Sequence, residues 1–445
     1  MYLRLTSGRL RFIVGEWGSN MLKKSFIVTI IFVISLFIQL ISQIVITRIF
    51  GATQELDIFL AAVAIPSIIV TVIYGSLNNV LLPLLGEKKG QKSYEKYVSS
   101  LVLSLGIFAI VTAGVIALFS GQLSKLLYPG STSEFTSAVT GQMRVLFWSI
   151  PFAFIATTLG AYYYVQKHFF RFPFAQLVGS ITNLLLIVAL YNVAGIWALV
   201  IAFVLNLFFQ ILFVLPKFKS VPKLEFQNIT PILIALTPLI IGQFMIRSDT
   251  IIIRSYASYL PEGYMVYLNL VSKIFSLATS VMTIGIQVLL LPHLVEYLNE
   301  KKYEKAIQSV NRAKLLSIGL SVFVVLALIV LGPLAIKLLF EGGKFTAEDV
   351  TITSSLLPLF IIPGIGWGLS GVFFQPLFAL KKYMEVGIIS TIAFGAALGT
   401  SQIMYKMHGP EFAIISGLIV LLFIGIIGSE TIWQIQKQHL ISKQK

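Results

Sequence analysis

The sequence predicts an all-α polytopic membrane protein with about twelve transmembrane helices in two pseudo-symmetric six-helix lobes. Three observations predict it. First, 57% of the 445 residues are hydrophobic and 11% charged, with a mean hydropathy of +0.90. Soluble domains carry about 25% charged residues, so no single aqueous core would hide this much apolar surface. Second, twelve apolar runs reach the roughly 20 residues that a bilayer core demands. Third, the two halves of the chain repeat each other.

The runs lie near 26–46, 58–84, 97–119, 140–165, 174–190, 195–215, 229–252, 263–292, 314–336, 351–378, 385–404 and 412–435. None alternates with period two over strand lengths, which argues against a β-barrel. The first run has no small-residue cleavage site after it and reads as a retained helix. The fifth and sixth meet at a short turn, Asn192–Gly195. With the N-terminus inside, 24 of the 33 Lys and Arg fall in cytoplasmic segments and six in outer ones. This bias places both termini in the cytoplasm. It also accounts for most of the +15 net charge, so no nucleic-acid partner is implied.

Four markers carry the repeat. Leu-Leu-Pro83 and Tyr94-Glu-Lys96 recur 209 residues later, ending at Pro292 and Lys305. Lys125-Leu-Leu-Tyr128-Pro-Gly130 recurs as Lys337-Leu-Leu-Phe340-Glu-Gly342, and Pro151 recurs as Pro363, each 212 residues on. An offset of six helices keeps both copies in one membrane orientation, with the axis along the membrane normal. The expected organisation is a basic cytoplasmic leader (1–24), an N-lobe (25–216), a cytoplasmic linker (217–228), a C-lobe (229–436) and a cytoplasmic tail (437–445). Repeats of this kind place a substrate site between the lobes and work by rocking.

Charge inside a span costs at least about 2.5 kcal/mol on insertion scales, so each instance needs a reason. The seventh run reads Gly242-Gln-Phe-Met-Ile-Arg247-Ser-Asp249-Thr, and Lys273 lies in the eighth. On one helix Arg247 and Asp249 point to different faces and need partners elsewhere. Arg247 and Lys273 are expected to line the cavity and grip anionic phosphate, with Asp249 and Asp57 holding them. Plain structural ion pairs are the competing explanation. Arg48 and Arg254 read as outer-interface residues that also bear on the substrate. Pro66, Gly75, Pro151 and Pro363 are the expected hinges, since proline removes a helix hydrogen bond. Tyr162, Tyr163 and Tyr164 form either a sugar-stacking cluster or, more in keeping with their place, an aromatic belt. Glu348-Asp349 suits a helix start after Thr346.

Arg48-Ile-Phe-Gly51, Asp57-x-Phe59, Ile65-Pro66, Gly75 and Pro83, together with Phe340-Glu-Gly-Gly-Lys-Phe-Thr346, resemble motifs of MviN/MurJ-type flippases. These belong to the multidrug/oligosaccharidyl-lipid/polysaccharide (MOP) exporter superfamily, which includes the MATE transporters. The resemblance implies a twelve-helix core in two lobes. It also implies export of a polyprenyl-pyrophosphate-linked oligosaccharide, either a lipid II-like peptidoglycan precursor or a cell-surface polysaccharide unit. Arg48, Asp57 and Lys273 match the family's charged positions. The chain departs from lipid II flippases at Ser35–Gln43 and Ser67–Ile73, which carry no charge where that group has arginines. A less basic cavity is implied, and another polyprenyl-linked glycan fits as well as lipid II.

No catalytic residue, metal ligand or cofactor is expected. The chain has no cysteine, and its four histidines lie far apart. No Walker A loop occurs, so the membrane potential or an H⁺ or Na⁺ gradient is the expected drive. The expected partners are the lipid-linked glycan, membrane lipid, and glycosyltransferases or a polymerase of the same pathway, in a bacterial plasma membrane. The alternatives are a multidrug/cation antiporter of the same superfamily and a membrane glycosyltransferase or scaffold.

Overall fold

The computed structural model describes residues 19–91, 93–216, 218 and 221–442. Most of the leader (1–18), Lys92, Lys217 and Lys219 of the basic loops, and the last three residues of the tail lie outside the described residues.

The described residues are almost wholly helical. The first part of the chain forms α1 (Ser19–Phe50), α2 (Gln54–Lys88), α3 (Tyr94–Leu118), α4 (Ser120–Leu127), α5 (Ser133–Leu146), α6 (Ser149–Val165), α7 (Arg171–Ala194) and α8 (Trp197–Val214). There follow α9 (Thr230–Ile246), α10 (Asp249–Ala257), α11 (Tyr264–Asn299), α12 (Tyr303–Phe340), α13 (Ala347–Ser355), α14 (Ile361–Phe373), α15 (Gln375–Ala379), α16 (Tyr383–His408) and α17 (Pro410–Ser442). Among the described residues, ten helices or helix runs are long and apolar enough to cross a bilayer, and the pair α9 and α10, bent by 48°, makes an eleventh. Helix α11 is 36 residues long and has no Asp, Glu, Lys or Arg between Lys273 and Glu296. An all-α polytopic membrane protein is therefore the observed class.

The ends of the helices follow local rules. At α13, Thr346 and Asp349 form a reciprocal capping box, with Asp349 accepting from the Thr346 amide at 2.6 Å. This is the helix start expected at Glu348-Asp349. Gly195 takes a φ of +54° after α7, in the expected turn. Lys167, Lys301 and Lys381 adopt left-handed φ of 66°, 58° and 58° after α6, α11 and α15. Each closes its helix in the same way. The next residue's amide reaches back to a carbonyl in the last turn, as from Lys382 to Leu377 at 2.8 Å.

The prolines named as hinges take two kinds of helix position. Pro151 and Pro363 are each the third residue of a helix, α6 and α14. An amide in the first turn has no partner inside the helix, so proline there starts a helix and does not bend one. Helix α2 runs without a break through Pro66 and Gly75 and past Pro83. Pro238 and Pro333 lie inside α9 and α12.

The chain forms two compact units. One comprises the described residues up to Val45, Ile73–Ala117 and Val145–Ile232. Its core holds Leu159, Tyr163, Phe172, Ala175 and Val214. Tyr162 stacks on Tyr94, Tyr164 packs edge-on to Phe172, and Arg171 lies 4.6 Å from the Tyr163 ring. The tyrosine trio is therefore occupied within this core. The second unit comprises Ile46–Val72, Leu118–Arg144 and the described chain from Leu233 onward. Around Leu294, Val310, Val372 and Trp433 it has its own core. Beside that core Lys314 is buried in α12 and ion-paired with Glu430 of α17.

Candidate functional site

The site lies in the second unit and begins where the seventh span breaks. Helix α9 ends at Ile246 and α10 starts at Asp249, leaving Arg247 and Ser248 between them. The 48° bend brings Arg247 and Asp249 onto the wall of one cavity of about 560 Å³. On a continuous helix they would diverge. Gln243, Thr250, Ser276, Trp367 and Gln375 share the wall, with Ser67, Ile68 and Thr71 of α2. Both halves of the sequence thus supply lining residues.

Arg247 is exposed to this cavity. Among the described residues no ion pair joins it to Asp249. The Asp249 carboxylate is held instead by uncharged donors. It accepts from Trp367 Nε1 at 2.9 Å and from the Thr250 amide at 2.8 Å. A carboxylate fixed in this way keeps its own position but does not bind the guanidinium shut. Phe360 stacks behind the indole at 6.1 Å, which fixes the ring from a second side. Lys273 is exposed on α11, one turn before Ser276 and Leu277, which line the cavity. The cavity wall therefore offers a cation and several hydroxyl and amide groups, a set suited to a phosphorylated, hydroxylated ligand.

A further charged candidate lies in the first turn of α2. Asp57, buried, accepts from the Gly263 amide at 2.7 Å and the Val266 amide at 3.0 Å, at the start of α11. In return Glu262 accepts from the Gln54 amide at 2.8 Å, at the start of α2. Each helix start is thus met by a carboxylate from beside the other, where unpaired amides and the helix dipole favour negative charge. Asp57 is accordingly bound to backbone, whereas the sequence reading had it support Arg247 and Lys273.

Arg254 also departs from its expected place. It is buried within α10, where an outer loop was expected. Its guanidinium donates to the Leu60 carbonyl of α2 and, at 3.1 Å, to Asn269 Oδ1. Tyr128 donates to the adjacent Ala61 carbonyl at 2.7 Å. A buried guanidinium needs such acceptors, and helix carbonyls have a second lone pair to give.

Arg48 is exposed near the end of α1, and its carbonyl accepts from the Lys344 amide at 2.8 Å. The approach is close on both sides. A Cβ at Gly343 would lie 2.2 Å from the Arg48 carbonyl oxygen, and one at Gly51 would lie 2.6 Å from that of Lys344. Both glycines have positive φ, so the two motifs noted in sequence are parts of one glycine-dependent junction. No group of His, Cys, Asp or Glu suited to a metal occurs among the described residues.

Sequence reasoning missed Trp367, Tyr128, Glu262 and Asn269. The run Gly364-Ile-Gly-Trp-Gly368, in which small residues surround one aromatic, was the available signal for Trp367.

A family model described as lipid II flippase MurJ matches residues 46–442. Among curated relatives, a probable lipid II flippase MurJ of Helicobacter pylori is 23% identical over 394 residues, covering 81% of this chain and 84% of that protein. One of Bdellovibrio bacteriovorus is 24% identical over 205 residues, covering 45% and 39% respectively. Among solved structures, a lipid II flippase MurJ in an inward closed conformation superposes with a TM-score of 0.78 at 19% identity, over 91% of this chain and 87% of that one. An inward-facing MATE family transporter of the MOP superfamily gives a TM-score of 0.75 at 14% identity, over 92% and 96%. The structural likeness establishes the MOP transporter fold. With the family model spanning most of its length, the chain belongs to the lipid II flippase MurJ family.

Proposed function

We propose that the protein is a flippase that moves a polyprenyl-pyrophosphate-linked glycan, lipid II or a close chemical relative, from the inner to the outer leaflet of a bacterial plasma membrane. It works by alternating access between lobes 25–216 and 229–436, with both termini cytoplasmic. The observation that carries this reading is Arg247: a guanidinium exposed in a polar cavity, within a chain of this family. A pyrophosphate is the kind of group a guanidinium binds through two parallel hydrogen bonds. Lys273 adds a second cation on the same side of α11, and Asp249 keeps Trp367 in place beside them. An inside-negative potential favours outward movement of the anion by about 2.3 kcal/mol per charge per 100 mV. That supplies direction without a nucleotide.

The family match does not favour the drug/cation antiporter reading. The two are separated by reconstituting the protein into liposomes with a fluorescent lipid-linked glycan. The flippase reading expects the label to cross leaflets, faster with the potential imposed, and expects no dye efflux. Dye or cation exchange without glycan crossing would overturn it.

A further inference from the structure

The indole of Trp367 is the last of three stacked rings. Phe275 stacks on Phe360 with centroids 6.3 Å apart and planes 27° off parallel, and Phe360 stacks on Trp367 at 6.1 Å and 20°. The first two rings are fully buried. Trp367 is half-buried and lies on the wall of the polar cavity. A ladder of near-parallel rings thus runs out of the core and ends at the cavity. A Cβ at Gly364 would lie 2.5 Å from the Phe275 ring, so the absence of a side chain there lets α14 close on the ladder. Phe360 has a ring on each side. Trp367 has Phe360 as its one aromatic neighbour among the described residues, and its edge is tied by Nε1 to Asp249 at 2.9 Å. A broad, rigid apolar surface is thereby held at a fixed angle in a wall otherwise rich in polar groups.

The neighbours of the ring suit one ligand class. Phe374 keeps helical φ and ψ between α14 and α15. Trp367, Ser370, Gly371 and Gln375 therefore recur at helical spacing on one face, and all four line the cavity. Gln375 Nε2 donates to the Gly371 carbonyl at 3.2 Å, and its Oε1 has no donor among the described residues. Gln243 of α9 adds a second amide to the wall. A pyranose ring is amphipathic by face: C–H bonds line one side and hydroxyls the edge. The C–H side stacks on the electron-rich face of an indole, while the hydroxyls take amide and hydroxyl partners. A cationic drug also stacks on indole, but Arg247 on the same wall repels it.

We propose that Trp367 is the platform for the sugar joined to the pyrophosphate. The C–H face of that sugar lies on the indole while Arg247 holds the phosphates, and Gln375 Oε1 accepts from its hydroxyl or amide hydrogen. This rests on the flippase reading. It names the residue by which the protein selects a glycan over a bare prenyl pyrophosphate. A cavity of about 560 Å³ is of the size that takes compact ligands, so the sugar nearest the phosphates is the one read.

The test is calorimetric binding of two short-chain prenyl pyrophosphates to the full chain in detergent, one bearing N-acetylglucosamine and one bare. Wild type should bind the sugar-bearing lipid at least tenfold more tightly. Trp367→Leu should lose at least tenfold in affinity for that lipid and change little towards the bare one. Trp367→Phe, which keeps a flat ring, should retain most of the preference, and Arg247→Glu should weaken both lipids. Equal affinity of wild type for the two lipids, or equal weakening of both by Trp367→Leu, would overturn the proposal. Should Trp367→Leu not fold, Gln375→Met keeps the length of the side chain and removes the acceptor. It should cost the sugar-bearing lipid alone roughly fivefold, and an unchanged affinity there would count against the subsite. A wild type that prefers the sugar yet flips neither lipid would remove the flippase reading and leave the platform standing. Glycan flipping without any preference in binding would remove only the platform.

Discussion

The Asp57 carboxylate accepts the Gly263 amide hydrogen at 2.7 Å, across 206 residues of sequence. It also takes the Val266 amide, and Glu262 returns the favour to the Gln54 amide. The first turns of α2 and α11 are therefore fastened to each other through carboxylates and backbone, with no basic side chain involved. Hydrogen bonds to a charged group contribute about 1.5–3 kcal/mol each. Asp57→Ala should lower stability by roughly 3 kcal/mol, read as unfolding in detergent. Asp57→Asn keeps an acceptor and should lose about half as much. Equal melting of Asp57→Ala and wild type would refute the fastening.

Asp249 and Trp367 make a second testable pair. Asp249→Asn retains an oxygen for the indole N–H, and Asp249→Leu removes it. Losing the acceptor leaves the half-buried indole N–H without its partner, which frees the ring from its place beside Arg247. Initial flipping rates should fall roughly tenfold for Asp249→Leu, the change expected from about 1.4 kcal/mol, and much less for Asp249→Asn. If Asn and Leu are equally slow, the carboxylate acts by its charge and not by orienting Trp367.

Lys314 and Glu430 lie away from the cavity. The ammonium is buried against Phe373 at 5.0 Å and Trp433 at 5.7 Å, with Glu430 as its carboxylate partner. Breaking a buried pair from one side costs about 3–5 kcal/mol, whereas replacing both partners by apolar groups is often neutral. Glu430→Leu should destabilise by an amount near that range, and Lys314→Met added to it should restore most of the loss. A double variant no more stable than the single one would show that the pair is not what matters there.

Much of the fold was legible because lipid imposes few solutions. Long uncharged runs had to be helices. The repeat was legible too, and the structure gives it local meaning: Pro151 and Pro363 both begin helices, while Tyr128 and Phe340 are both fully buried. The site was less legible. Its assembly depends on a helix break after Ile246, and neither Arg247 nor Ser248 is a strong breaker. Asp57 was expected to hold Arg247 and Lys273, and Arg254 to sit at the outer interface. Their partners are backbone groups and an amide, which carry no sequence signature.

The left-handed lysines offer a prediction about stability alone. Lys381 sits at φ 58°, a region that costs an L-residue roughly 1–2 kcal/mol and glycine almost nothing. Lys381→Gly should therefore raise the thermal midpoint slightly, with a gain of about 0.5–1 kcal/mol once the looser unfolded chain is counted. Lys381→Val should lower it. A fall for the glycine variant would mean that the lysine side chain itself holds the turn.

The role of Arg247 is tested most directly by flipping of a fluorescent pyrophosphate-linked glycan in liposomes under an imposed potential. Wild type should move it. Arg247→Glu with Lys273→Glu should slow transport by at least a hundredfold while the protein still folds and melts cooperatively. Undiminished transport by that double variant would contradict a phosphate grip at this cavity.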